Sequence, residues 1–236
     1  MRKTLLRRAG TALLFALCGG ALQMHAQAPD LTKLDWAQFA RYKAANEALP
    51  PLKAGENRVV FFGDSITDGW NVNGFFPGRP YVNRGISGQT TPQMLVRFRA
   101  DVINLHPKVV VILAGTNDVA GNTGIESNEE IEGYLTSMAE LATANHIRVV
   151  MCSILPVFDY RWRPGLKPAS RIDAINAWMK EYASAHGHVF VDYHSAMKDE
   201  RDGLPEKLSS DGVHPTDAGY HVMMPLVEQG IIEALK

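Results

Sequence analysis

Four side chains in this 236-residue chain, Ser65, Asn117, Asp211 and His214, together amount to more than packing. A serine hydroxyl is a poor nucleophile until a neighbouring base takes its proton, and His214 can be that base. The imidazole in turn needs an acid that holds its tautomer and stabilises it once cationic. Asp211, three residues earlier in "SSDGVHPTDAGY", can reach it across a short turn. Attack on a carbonyl creates an oxyanion, which calls for preorganised donors. The backbone N–H groups of Ser65 and Gly88 and the side-chain amide of Asn117 are suited to that. This is acyl-transfer chemistry, and it requires four segments of chain to meet.

The hydrophobic pattern supplies the means. Short apolar runs, "RVVFFG" (58–63), "YVNRG" (81–85), "KVVVILAG" (108–115), "IRVVMCSIL" (147–155) and "HVFVDY" (188–193), are continuous rather than alternating. Such strands are buried on both faces, the mark of a parallel sheet covered by helices. Segments of helical character lie between them, a last helix is expected from about Thr216 to Leu235, and an N-terminal helix over about 31–48 is stopped by Pro50-Pro51. The expectation is an α/β fold, a three-layer α/β/α sandwich with a central parallel sheet of about five strands. Ligands bind outside the carboxyl ends of such strands. The first strand delivers Ser65 there, the second "NRGISGQT", the third "GTND", and the loop after the fifth delivers Asp211 and His214.

With these blocks in order, the chain resembles the SGNH (GDSL-type) hydrolases from about Val59 to its C-terminus. The carrying residues are "GDSIT", with Ile66 where the family name has leucine, then "NRGISGQT", "GTND" and "DGVHP". The resemblance implies a flavodoxin-like SGNH fold, Ser65 as nucleophile, Gly88 and Asn117 as oxyanion donors with the Ser65 N–H, His214 as base and Asp211 as its acid. "GTND", "SILP" and the second block look nearest to the subgroup of platelet-activating-factor acetylhydrolase catalytic subunits and carbohydrate acetylesterases, whose acyl groups are small. No metal or organic cofactor is expected.

Competing residues are placed less well. Ser87 and Ser153 lack the strand-to-loop "GDS" context, His194 lies on the wrong side of the last strand, and His221 falls inside the last helix. Asp64, Asp192 and Asp217 are alternatives to Asp211 as the acid. Asp64 reads rather as a brace for the turn presenting Ser65, and Asp118 as a brace for its own loop. Two aromatic stretches after strands can shape a substrate site. There Trp70, Tyr160 and Trp162 are candidates to stack on a sugar ring, and Arg161 to meet a polar group; the alternative is that the rings cover core or another subunit.

Residues 1–28 read as a signal peptide: Arg2, Lys3, Arg7 and Arg8 precede a mostly apolar stretch and then small residues. Residues 29–57 form a helical extension and 58–236 the hydrolase domain. The leader carries four basic and no acidic side chains, so the whole-chain balance of −1 becomes −5 without it. That argues against nucleic acid as a partner. Export to the periplasm or medium is expected, with no stable membrane insertion after processing; a lipoprotein reading of Cys18 is weaker, and a homo-oligomer stays open. Cys152 is then the sole cysteine, so no internal disulfide can form. The leading expectation is a serine esterase acting on a short-chain, chiefly acetyl, ester of a carbohydrate or other small alcohol. A lysophospholipase or thioesterase, an acyltransferase to a sugar hydroxyl, and a non-catalytic glycan-binding module are the alternatives.

Overall fold

All five apolar runs become strands of one parallel sheet: β1 (Val59–Gly63), β2 (Tyr81–Gly85), β3 (Val109–Leu113), β4 (Arg148–Cys152) and β5 (Val189–Val191). Their order across the sheet is β2-β1-β3-β4-β5. The computed structural model describes residues 35–236. The expected signal peptide lies outside the described residues.

Alternate side chains of each strand enter two separate cores. Val60, Phe62, Val110, Ile112 and Met151 pack against α4 (Thr91–Asp101), α6 (Asn128–Ala144) and α7 (Ala169–His186). These helices contribute Phe98, Leu135 and Ile175. Phe61, Val111, Val150 and Val191 face the other way, against Met223 and Val227 of α9 (Asp217–Ala234). Phe62 shows how tight the first layer is, with the Phe98 ring edge-on at 5.3 Å and the Arg97 guanidinium 4.2 Å from its centroid. Truncating a ring so enclosed to alanine costs about 3–5 kcal/mol.

The strand order places the functional crevice. From β1 the chain passes through α2 (Ser65–Asp68) and α3 (Val72–Phe75) to β2 on one flank, then returns through α4 to β3 on the other. The loops after β1 and β3 therefore diverge to opposite sides, which opens a crevice at the strands' carboxyl ends. α5 (Thr116–Val119) begins directly at that edge, and α8 (Tyr193–Met197) follows β5.

Two boundaries differ from the sequence reading, each for a local reason. Among the described residues the N-terminal helix α1 spans Ala40–Glu47; Gln38, at φ +56°, interrupts the chain ahead of it, where the Asp35 carboxylate accepts from the N–H groups of Phe39 and Ala40, and residues 31–34 of the expected helix lie outside the described residues. β4 stops at Cys152 because Asn176 takes over both backbone groups of Ile154, accepting from its N–H at 2.8 Å and donating to its carbonyl at 3.0 Å.

Candidate active site

Ser65 is the first residue of α2, two residues beyond the buried end of β1. The turn is tight. A Cβ on Gly63 would stand 2.1 Å from Thr67 Oγ1 and 2.6 Å from the carbonyl oxygen of Leu113, so only glycine lets helix and strand approach this closely. Asp64 braces the turn as expected, its Oδ1 accepting from the Ile66 N–H at 2.9 Å. Its other oxygen is buried without a partner among the described residues. Burial pushes the Asp64 carboxyl up to about 6, against the opposing pull of the Ile66 hydrogen bond and the nearby His214.

The hydroxyl of Ser65 and Nε2 of His214 lie 2.9 Å apart. On the far side of the ring, Nδ1 of His214 donates to Asp211 Oδ2 at 2.7 Å. The other oxygen of Asp211 accepts from the N–H groups of His214 (2.8 Å) and Val213 (2.9 Å) and from the Ser209 hydroxyl (3.1 Å). Partial burial raises the Asp211 pKa, but these hydrogen bonds and the imidazole outweigh it and hold the carboxyl well below the usual carboxylate range. Asp211 is thus an anion over the working range, and the imidazole is held with Nε2 free to accept. Asp64 touches neither His214 nitrogen; Asp192 accepts from Ser195, and Asp217 lies beside His221. His194 lies by Asp173, and Ser153 accepts from the His194 N–H, both away from this cluster.

Donors converge on the same place. The N–H groups of Ser65 and Gly88 have no internal acceptor among the described residues. Gly88 holds φ at +79°, a left-handed conformation that glycine adopts without strain. Asn117 lies in α5, its Nδ2 donating to the Gln89 carbonyl at 2.9 Å and its Oδ1 accepting from Asn122 Nδ2 at 2.7 Å. Asp118 braces its turn from outside it: its Oδ1 accepts from the Thr91 N–H and hydroxyl, tying this turn to the start of α4.

Ser65, Gly88, Asn117 and His214 line one open cleft of about 560 Å³, with Asn122 and Trp162 on its wall. Among the four expected substrate contacts, Trp162 alone lines it; the ring is 43% exposed and its indole N–H donates to Asn122 Oδ1 at 3.1 Å. Trp70 and Tyr160 require correction, and Arg161 lies beside the cleft rather than in it. Trp70 is 3% exposed, stacked on Tyr220 at 5.1 Å and set edge-on to Phe61, so it fills the second core. Tyr160 is fully buried, and its hydroxyl donates to the Thr116 carbonyl at 2.9 Å, supporting the "GTND" turn from behind. Arg161 donates to the Ser210 carbonyl at 2.8 Å and lines a neighbouring groove of about 470 Å³ with Phe158 and Asp211. Sequence reasoning missed Asn122, Gln89 and Ser209. "SSDG" held a hint of the last, since a serine hydroxyl can hydrogen-bond backbone a few residues on, as Ser209 does in accepting from the Gly212 N–H.

A family model described as GDSL-like lipase/acylhydrolase matches residues 61–222. The solved structure of a GDSL-like lipase from Bacteroides thetaiotaomicron superposes with a TM-score of 0.81 at 45% identity, covering 84% of this chain and 99% of that one. In sequence, an acetylxylan esterase of Xylanibacter ruminicola is 24% identical over 78% of this chain, which spans 45% of that longer relative. An acetylxylan esterase of Geobacillus stearothermophilus is 26% identical, covering 73% of this chain and 92% of the relative.

Proposed function

The chain belongs to the GDSL-like lipase/acylhydrolase family and is a carboxylic ester hydrolase, and from that premise we propose that it is an exported serine esterase removing a short acyl group, acetyl first, from a carbohydrate hydroxyl. The observation that carries the reading is the unbroken line Asp211–His214–Ser65, at 2.7 and 2.9 Å, opening onto Gly88 and Asn117. Ser65 Oγ attacks the ester carbonyl as its proton passes to Nε2 of His214. The oxyanion accepts from the Ser65 and Gly88 N–H groups and from Asn117 Nδ2. Collapse breaks the ester C–O bond, and the departing alkoxide takes the proton from His214, leaving acyl-Ser65. Water then gives a proton to His214 while its oxygen adds to the acyl carbon. A second collapse frees the carboxylic acid and returns the proton to Ser65.

What surrounds the hydroxyl supports this substrate class. Apart from Trp162 the residues lining the cleft are polar or glycine, with Asp68, Ser87 and Asn122 among them, a lining that favours a short acyl group over a long chain. An exposed indole over a polar floor suits the apolar face of a sugar ring. The two acetylxylan esterases among the relatives point the same way. Export rests on the charged and apolar pattern of residues 1–28.

A panel of p-nitrophenyl acetate, butyrate and octanoate, together with acetate release from acetylated xylo-oligosaccharides, tests the reading. Acetate is expected to turn over fastest, with free acetic acid as product. Faster turnover of octanoate would overturn the short-acyl assignment, and acetyl transfer to an added sugar in preference to water would overturn hydrolysis.

A further inference from the structure

Behind the cleft, an array of buried polar contacts converges on Gln89. Its side chain is 1% exposed and follows Gly88 directly. Oε1 accepts from Nε of Arg97 at 2.5 Å, Nε2 donates to the carbonyl of Ala37 at 2.8 Å, and the backbone carbonyl accepts from Asn117 Nδ2 at 2.9 Å. One residue thus grips both non-serine donors of the oxyanion site, Gly88 through the chain and Asn117 through a hydrogen bond.

Each anchor of Gln89 is itself fixed. Arg97, fully buried, donates to the Gly63 carbonyl (3.0 Å) and the Arg84 carbonyl (2.9 Å), at the ends of β1 and β2, and pairs with Asp101 at 3.1 Å. Ala37 lies just ahead of α1, and that segment is tied down by Gln93 donating to the Trp36 carbonyl at 2.7 Å and by the Tyr42 hydroxyl donating to the Gly85 carbonyl. Arg41 reaches Asp68 at 3.3 Å, and Asp68 accepts from the Ser87 N–H and hydroxyl. α1 buries no side chain of its own, so its role in the fold is carried by these polar contacts, which surround the turn over residues 85–89. The whole arm precedes Phe61, where the family match begins.

A glycine at positive φ has wide conformational freedom, and an amide donor is useful to an oxyanion only if it is already aimed. We infer that Gln89 is a positioning residue of the oxyanion site, held between Arg97 and the arm of residues 35–47 so that the Gly88 N–H and the Asn117 amide converge on one point. The inference rests on the esterase reading above.

The test is steady-state kinetics of full-length Gln89→Met on p-nitrophenyl acetate, with inhibition by ethylboronic acid, whose tetrahedral serine adduct probes the oxyanion donors. The expected result is a kcat lower by about 10-fold to 100-fold with KM within about twofold, and boronate inhibition weakened in step. In an Asn117→Ala background the same change is expected to cost less than it does in wild type, since only the Gly88 N–H is then left for it to misplace. If Gln89→Met does not accumulate as folded protein, Gln89→Glu, which keeps side-chain length and the acceptor for Arg97, takes its place with the same expectation. Unchanged kcat, or a loss fully additive with Asn117→Ala, would overturn the inference. A wild-type protein without esterase activity would instead overturn the reading beneath it.

Discussion

Nδ2 of Asn122 lies 2.7 Å from Oδ1 of Asn117, and that contact fixes which end of each amide faces which. The order is imposed from the rim of the cleft. An indole N–H can only donate, and that of Trp162 takes Oδ1 of Asn122. Asn122 must then offer its nitrogen to Asn117, and Asn117 offers its own to the Gln89 carbonyl and the cleft. An exposed ring therefore sets the polarity of a donor on the floor.

Two variants separate the two jobs of Trp162. Trp162→Phe keeps an apolar face but removes the N–H, so it is expected to lower kcat by about 3-fold to 10-fold with KM little changed, the effect of one loosened hydrogen bond. Trp162→Ala also removes the stacking surface and is expected to raise KM for acetylated xylo-oligosaccharides by about 5-fold to 10-fold, a loss of about 1–1.5 kcal/mol. Comparing both substrates on both variants checks this. Equal KM effects on the oligosaccharide and on p-nitrophenyl acetate would remove Trp162 from sugar recognition.

Asp211→Asn addresses the tautomer. The asparagine oxygen can still accept from the Val213 and His214 N–H groups, but its nitrogen would face Nδ1 of the ring. Nδ1 then becomes the acceptor and Nε2 carries the proton, so it cannot accept from Ser65. A fall in kcat of about 10³-fold to 10⁴-fold is expected, with the fold retained by circular dichroism. A loss under tenfold would mean that another group orients the imidazole.

Glu126 offers a pH-dependent measurement outside the catalytic line. Burial and the neighbouring Asp118 carboxyl push its pKa from 4.5 up to about 7, and Oε2 of Glu126 and Oδ2 of Asp118 are both buried with no hydrogen-bond partner among the described residues. Between those values the unfolded chain has released the proton that the folded protein still holds. Stability from this group is therefore full below about pH 4.5 and falls as pH rises towards 7. Glu126→Gln cannot ionise, so its melting temperature relative to wild type is expected to climb across that window and level off above it. A constant difference from pH 4 to pH 8 would show that the two carboxyls do not share a proton.

Much of this was legible in the chain before any coordinates. The five strands could be read because burial on both faces writes itself as unbroken apolar runs such as "VVVIL", and the Ser65, Asp211 and His214 segments because the turn chemistry that presents them is local. Trp70 and Tyr160 could not be placed from sequence. An aromatic residue after a strand looks the same whether it walls a cleft or fills core, and here Phe61 and Thr116 drew the two rings inward. Gln89, Asn122 and the Ala37 carbonyl were silent for another reason. Hydrogen bonds between side chains and distant backbone carbonyls leave no periodicity and no composition to detect.

Asp211 and His214 sit three residues apart on one short turn, joined by backbone as well as ring contacts. Whatever shifts that turn carries acid and base away as a single cassette, still paired, while the serine and its donors stay behind at the sheet's edge. Excursions of the C-terminal loop would thus switch the hydroxyl off without exposing a bare buried charge, and the relay could re-form by simple re-docking.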